Sequence, residues 1–357
     1  MLIRKFLFSL ILSSFCTANA QGLKMKLTEH TGNVESVAYS FDGKYLASGA
    51  WDGNIQLYTI DSFGNATLKT TLTGHLGAVT SLSFSKNGKY LVSASKDYSA
   101  RLWNIDTPSK SKVFNIHAQP VTSAFIDAAN KFITTSSLDG TVKVTNRFDG
   151  NTRNIEIGKP VNDVQLTPDG KYYLVAMKGN VIKQYDAGGR AEEVATFTGH
   201  ADEVNAVEIS PDGVFMASAS SDKTIMIWDL STGVSTKKLQ GFEWKVTSLK
   251  YSADGKYIIG GCNNGTAKLF DVESGKSLSD FNALGKNVRD VAFSRSGKEV
   301  AVATHMDAEK LGAVIYESGV VSGNPPAVVV SKAKPKPKTK PGARPVSKPG
   351  AKKPGTK

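Results

Sequence analysis

Residues 197–230 read FTGHADEVNAVEISPDGVFMASASSDKTIMIWDL. The stretch opens with Gly199-His200, closes on Trp228-Asp229 and carries a Pro211-Asp212-Gly213 turn between them. Val204, Ala206 and Ile209 mark one apolar-rich run, Phe215 to Ala219 a second, and Ile225 to Trp228 a third. Three short β-prone runs separated by turn residues predict an antiparallel meander. One meander of this size cannot bury its own faces, so it must stack against others.

The others are present. The valine that opens the first strand recurs as Val34, Val79, Val121, Val161, Val204, Val246 and Val288, at steps of 45, 42, 40, 43, 42 and 42 residues. The mid-unit turn keeps the same step at Gly43, Gly88, Asn130, Gly170, Gly213, Gly255 and Gly297. So does the closing dipeptide, which is Trp103-Asn104 in the second unit, Trp228-Asp229 in the fifth and Phe270-Asp271 in the sixth. A period of about 40–45 residues with Gly-His early and Trp-Asp late marks WD40 blades. On these residues, 22 to about 318 resembles a seven-bladed WD40 β-propeller, which implies an all-β fold. In that family an N-terminal strand usually completes the last blade, and the 22–27 stretch fits that duty. The apolar 327–330 run is a second candidate. Closure matters because an unpaired outer strand is an aggregation edge.

The two ends differ from the repeat. Residues 1–20 pair Arg4 and Lys5 with a short apolar run and Ala18-Asn19-Ala20, the pattern of a signal peptide expected to be cut before Gln21. Its apolar run, about 10 residues, is too short to span a membrane. Phe15 argues against lipidation of Cys16. The protein is therefore expected to be exported, periplasmic or secreted. Cleavage removes Cys16 and leaves Cys262 alone, so stability must come from packing without an intramolecular disulfide. Cys262 reads as a small buried hydrophobe.

After residue 318 comes a linker or extra strand, 319–330. Residues 331–357 then hold nine Lys, one Arg and six Pro, with no acid or aromatic. Such a segment is expected to be disordered and polyproline-like. The chain is formally +12; the tail accounts for +10 and the signal peptide for +2, so residues 21–330 are balanced. Basic composition is thus no argument that the folded domain binds nucleic acid. The tail itself, through Lys334, Lys336, Lys338, Lys340, Arg344, Lys348, Lys352 and Lys353, suits an anionic lipid, polysaccharide or nucleic acid by counterion release. A solvated spacer is the other reading.

Ser, His and Asp recur together. Blade one has His30, Ser48, Asp52 and Tyr58; blade two has His75, Ser93, Asp97 and Trp103; blade five has His200, Ser218, Asp222 and Trp228. The resemblance implies that each set forms a hydrogen-bonded line from Trp to the turn Asp. A set repeated in several blades reads as a structural staple and not as a catalytic triad. Buried polar groups of this kind are tolerable only when all are paired. His30, His75, His117 and His200 share one blade position, while His305 falls outside it with no second metal ligand nearby. Blades three, four, six and seven depart from the pattern: Thr145 closes blade three, Lys159-Pro160 replaces His in blade four, Asn264 replaces Asp in blade six, and extra residues fall at 304–311.

No lipase elbow, zincin helix, phosphate loop or paired-cysteine motif occurs, and no cofactor is expected. Binding is favoured over catalysis; the alternative is a propeller hydrolase with an active site over the central channel. For a binding role, the resemblance places the docking surface on the face that gathers the residues flanking each ladder valine and the residue before each turn Asp. There it sets Trp51, Glu35, Lys96, Leu138, Lys178, Glu203, Lys245 and Arg289. Trp51 and Leu138 are large apolar groups, and aromatics and Arg dominate interface energetics. Four cations against two acids favour a mildly acidic protein partner for what is expected to be a monomer. Asn65 and Asn264 fit the N-glycosylation pattern.

Overall fold

The computed structural model describes residues 22–115, 117–282, 287–305 and 312–320. The expected signal peptide, the extra residues 306–311, the 321–330 stretch and the basic tail lie outside them. The described residues form seven four-stranded sheets and no helix. Six sheets are built from consecutive strands, such as Val204–Ile209, Phe215–Ser220, Ile225–Asp229 and Ser235–Leu239 in blade five. Every pairing is antiparallel, as short hairpin connections require.

The ladder valines explain how blades stack. All seven are fully buried. Each enters the neighbouring blade where the second strand carries Gly, Ala or Ser: a Cβ at Gly49 would lie 2.6 Å from Val79 Cγ1, and one at Gly261 2.5 Å from Val288 Cγ1. Directly after each valine the first strand is bulged, from Val34/Ser36 to Val288/Asp290. A bulge bends and twists a strand, which suits the innermost strand of a blade. The mid-unit turns all take positive φ, at 55° for Asn130 and 70–76° for the six glycines. Asn is the L-residue that best tolerates that region, hence its one appearance there.

Blade seven takes its outer strand from the other end of the chain. Leu23–Leu27 pairs with Ala313–Glu317, with Leu27 opposite Ala313 and Leu23 opposite Tyr316. Lys24 then ties the seam: its Nζ lies 2.9 Å from Glu299 Oε1 in blade seven and 2.5 Å from the Phe63 carbonyl in blade one. Similar clasps join other blades. Lys237 donates to Val272 O in blade six, Arg153 to Ala187 O in blade four (both 2.7 Å), and Lys112 to Arg147 O in blade three. These outer-strand cations satisfy turn carbonyls of the next blade, so part of the propeller's basic content is structural.

Candidate functional site

The polar lines come first, because they fix the loops that carry the rim. In blade two, Trp103 Nε1 donates to Ser93 Oγ (2.9 Å), Ser93 to His75 Nε2 (2.7 Å), and His75 Nδ1 to Asp97 Oδ2 (2.8 Å). Asp97 also accepts from Leu76 N and from Ser99 Oγ, at 2.9 and 2.6 Å. Blade five repeats the line through Trp228, Ser218, His200 and Asp222 at 2.7–2.8 Å. Each serine hydroxyl donates one hydrogen bond and accepts one, while His Nε2 accepts and Nδ1–H donates, so every member of the line is paired. Ser93 and Ser218 are completely buried. A nucleophile needs an open face, and these two have none.

Blade three keeps His117, Thr135 and Asp139 in line but has Thr145 where Trp would donate. In blade one the Tyr58 hydroxyl turns to Glu29 Oε2 (2.8 Å). Blade six replaces the set as a unit. Phe242 takes the His place, Gly260 the Ser place and Phe270 the Trp place, with the two rings 5.6 Å apart. A Cβ at Gly260 would strike Phe242 at 2.8 Å, so the small residue and the large one are coupled. Asn264 Oδ1 still caps the turn by accepting from Thr266 N (3.1 Å) and Oγ1 (2.6 Å). That accounts for an asparagine there without glycosylation.

Charge in these lines is settled by burial and bonding together. Burial would raise the Asp97 carboxyl, but Ser99, the Leu76 N–H and His75 hold it down to about 2. Asp52 and Asp139 are held equally low, and Asp222 is lowered in the same way. Burial lowers His75, His117 and His200 against the pull of their aspartates, so imidazoles are neutral and carboxylates ionised. In both classes the unfolded chain takes up protons first. Stability tied to the histidines is present above their ordinary value of 6.5 and is lost as pH falls below it. Stability tied to the aspartates is present above 3.8 and is lost as pH falls to about 2. The urea midpoint should therefore fall from pH 7 to pH 3, by less than these groups alone would give, because burial raises Asp163 to about 6 and raises Asp290, which work the other way. A flat midpoint across pH 7 to 4 would contradict this assignment.

On the upper rim, one residue follows each second strand. Its N–H is held by the carbonyl of the residue before the ladder valine, from Trp51 N to Asn33 O (2.9 Å) through Lys96, Leu138, Lys178, Ser221 and Asn263. The seventh copy is His305, bonded to Asn287 O at 3.1 Å. Sequence reading set His305 aside as an outsider; the structure places it in the slot that Trp51 and Lys96 occupy. Its signal was its place, directly after the strand Glu299–Thr304.

The bulged residues have two fates. At five junctions their side chains bond the ladder-valine carbonyl of the next blade: Thr80 to Val121, Thr122 to Val161, Asn162 to Val204, Asn205 to Val246 and Thr247 to Val288, at 2.6–2.9 Å. In blades seven and one the position is charged, and Arg289 and Glu35 turn to each other, Nε to Oε2, at 2.8 Å. Glu35 is buried and also accepts from Trp51 Nε1 and His305 Nε2. Burial would raise its carboxyl; Arg289, Trp51 and Lys96 keep it below its usual value and ionised.

Above this buried carboxylate Trp51 stays 48% exposed. Lys96 Nζ sits 5.0 Å from its ring centre and the His305 ring meets its edge at 5.4 Å. Leu76, 94% exposed, lies on the adjoining loop. Of the other rim residues expected from sequence, Lys178 and Lys245 are exposed, Leu138 is half-buried, and Glu203 accepts from Asn162 Nδ2 (3.1 Å). The structure thus joins Trp51, Glu35, Lys96 and Arg289, brings Glu203 and Lys245 into a separate groove between blades five and six, and leaves Leu138 and Lys178 apart on the rim. Below it runs a central channel of about 1750 Å³.

Comparison with known proteins agrees with this geometry. The model of the WD domain, G-beta repeat, matches residues 22–59, 66–104, 108–146 and 191–229, and that of the anaphase-promoting complex subunit 4 WD40 domain matches 236–296. The chain belongs to the WD40-repeat β-propeller family. Among WD40 relatives it is similar to pre-mRNA-processing factor 19 homolog 2 of Arabidopsis thaliana, 30% identical over 36% of this chain and 24% of that protein. It is similar to the small ribosomal subunit protein RACK1 of Caenorhabditis elegans, 44% identical over 16% of this chain and 18% of that protein. It is also similar to target of rapamycin complex subunit LST8-1 of Arabidopsis thaliana, at 38% over 20% and 23%. Each match spans a quarter or less of the relative's own length.

Proposed function

We propose that this WD40 propeller is a non-catalytic protein-docking platform whose upper rim, over blades seven, one and two, receives an acidic segment of a partner protein. The observation that carries the reading is the Trp51 cluster. A half-exposed aromatic is pinned by a buried carboxylate that Arg289 also holds, and the Lys96 ammonium lies over its ring, the pattern of an interface hot spot. Glu35 already compensates Arg289, so over blades one and two Lys96 is left for a partner carboxylate, while Lys245 lies beside Glu203 and Glu243 over blades five and six. The relatives named as subunits of a complex and of the ribosome support a scaffold role. The 1–20 segment supports export to the periplasm or the extracellular space, and the cationic tail would there contact anionic surfaces.

The test is affinity capture from an envelope or secretome extract at low and moderate salt. Mature 21–357, the 21–330 truncation and a Trp51→Ala/Lys96→Glu variant are compared. A partner kept by the truncation and lost from the rim variant is the expected result, with affinity at least about tenfold weaker for the variant. Identical captures by all three would sink the docking reading. Retention that needs the tail and vanishes with salt would assign binding to the tail alone.

A further inference from the structure

A second aromatic stands on the same rim, in different electrostatic company. The loop entering blade six, residues 241–245, is anchored at two points. Phe242 is buried against Phe270, and the Trp244 carbonyl accepts from Cys262 Sγ (3.4 Å). Cys262 is thus more than a small apolar filler. Between these anchors Trp244 projects 59% exposed, over a groove of about 800 Å³ between blades five and six. Asp202, Glu203 and Glu243 line the groove against Lys223 and Lys245, so acids outnumber cations around the indole, the reverse of the Trp51 site. Lys223 holds φ +69°, where the matching turn positions of blades one, three and six have glycine, so a strained residue sits at the groove wall.

We propose that this groove holds the chain's own Lys-Pro segment, residues 331–357. An exposed indole accepts both the flat face of proline in an extended helix and the ammonium of lysine. Flanking carboxylates suit a segment with ten cations and no acid. The cation-rich Trp51 cluster repels the same segment, which separates the two sites by charge. Reach is sufficient. The chain leaves blade seven at Ser318, bonded to Gly297 O on the hairpin-turn side. Six-residue strands make a blade about 20 Å tall, and the ten residues 321–330 extend to about 33 Å. Blade six is the immediate neighbour, the groove lies on its far side against blade five, and residues 331–339 add about 28 Å in an extended polyproline form.

The test uses the full chain with Thr339→Cys in a Cys16→Ser background, labelled with bimane, a fluorophore that tryptophan quenches on contact; Cys262 is buried. At low salt the label should be quenched, independently of protein concentration, and released by about 0.5 M salt. Trp244→Phe should restore emission, as should the exposed charge reversal Glu243→Lys, while Trp51→Phe should leave quenching unchanged. An unquenched label, or quenching indifferent to Trp244, overturns the proposal. Quenching that grows with protein concentration overturns it too, by assigning the segment to a second copy's groove. Quenching that follows Trp51 in place of Trp244 also overturns it, and would count against the acidic-partner reading of the Trp51 site.

Discussion

Asp97→Ala is expected to lower the unfolding free energy by about 3 kcal/mol, read as a fall in the urea midpoint at pH 7. The change removes one carboxylate and strands the buried or part-buried donors His75 Nδ1, Ser99 N and Ser99 Oγ, and it releases the exposed Leu76 N. The His75 side chain is fully enclosed, so its Nδ1–H loses its partner away from bulk solvent. The neighbouring chain of bonds through Ser93 to Trp103 then loses its orientation as well. Blade six indicates how the loss could be offset. Replacing the whole blade-two set by its blade-six counterparts, His75→Phe, Ser93→Gly, Trp103→Phe and Asp97→Asn, should recover much of the stability. An apolar set of matched volume has no desolvated groups to satisfy. A midpoint for Asp97→Ala within about 0.5 kcal/mol of wild type would mean the line is ornamental.

Removing residues 22–27 should have the second large effect. The strand Ala313–Glu317 would lose the outer partner it has among the described residues, exposing a row of unpaired backbone groups beside Ile315, which is otherwise fully buried. Leu27 and Met25 would leave the cluster they share with Ala313 and Ile315. The Lys24 clasp, which joins blade seven to blade one, would go with them. Higher mass than the full chain by light scattering, and a markedly lower melting temperature, are the expected results. Glu299→Gln, which weakens the clasp and the bonds that Glu299 accepts from Ser294 and Ser296 but keeps the strand, should show a smaller stability loss without the association. Unchanged mass and melting temperature on deletion would mean the ring does not depend on this closure.

Much of this was legible along the chain. The ladder valines, the positive-φ turns and the His–Ser–Asp spacing recur because every blade solves the same packing problem with the same local chemistry, and repetition makes local signals readable. Substitutions that break the pattern were less legible. Phe242, Gly260 and Phe270 look like three separate departures in sequence and become one exchange only when the side chains meet.

The sequence by itself therefore determined the blade count, the run of strands within a blade and the His–Ser–Asp sets of blades two and five, since those depend on neighbours within about forty positions. Tertiary structure decided the rest. Arg289 and Glu35 lie at opposite ends of the fold's sequence and become partners only because the ring closes. Trp51 becomes a pinned aromatic, and not a loose one, because a carboxylate is buried beneath it. His305 stands at the spacing of Trp51 and Lys96 from its ladder valine, but only ring closure brings its ring against Trp51 and Glu35. Closure converts distance along the chain into contact, and the candidate site is built at the seam.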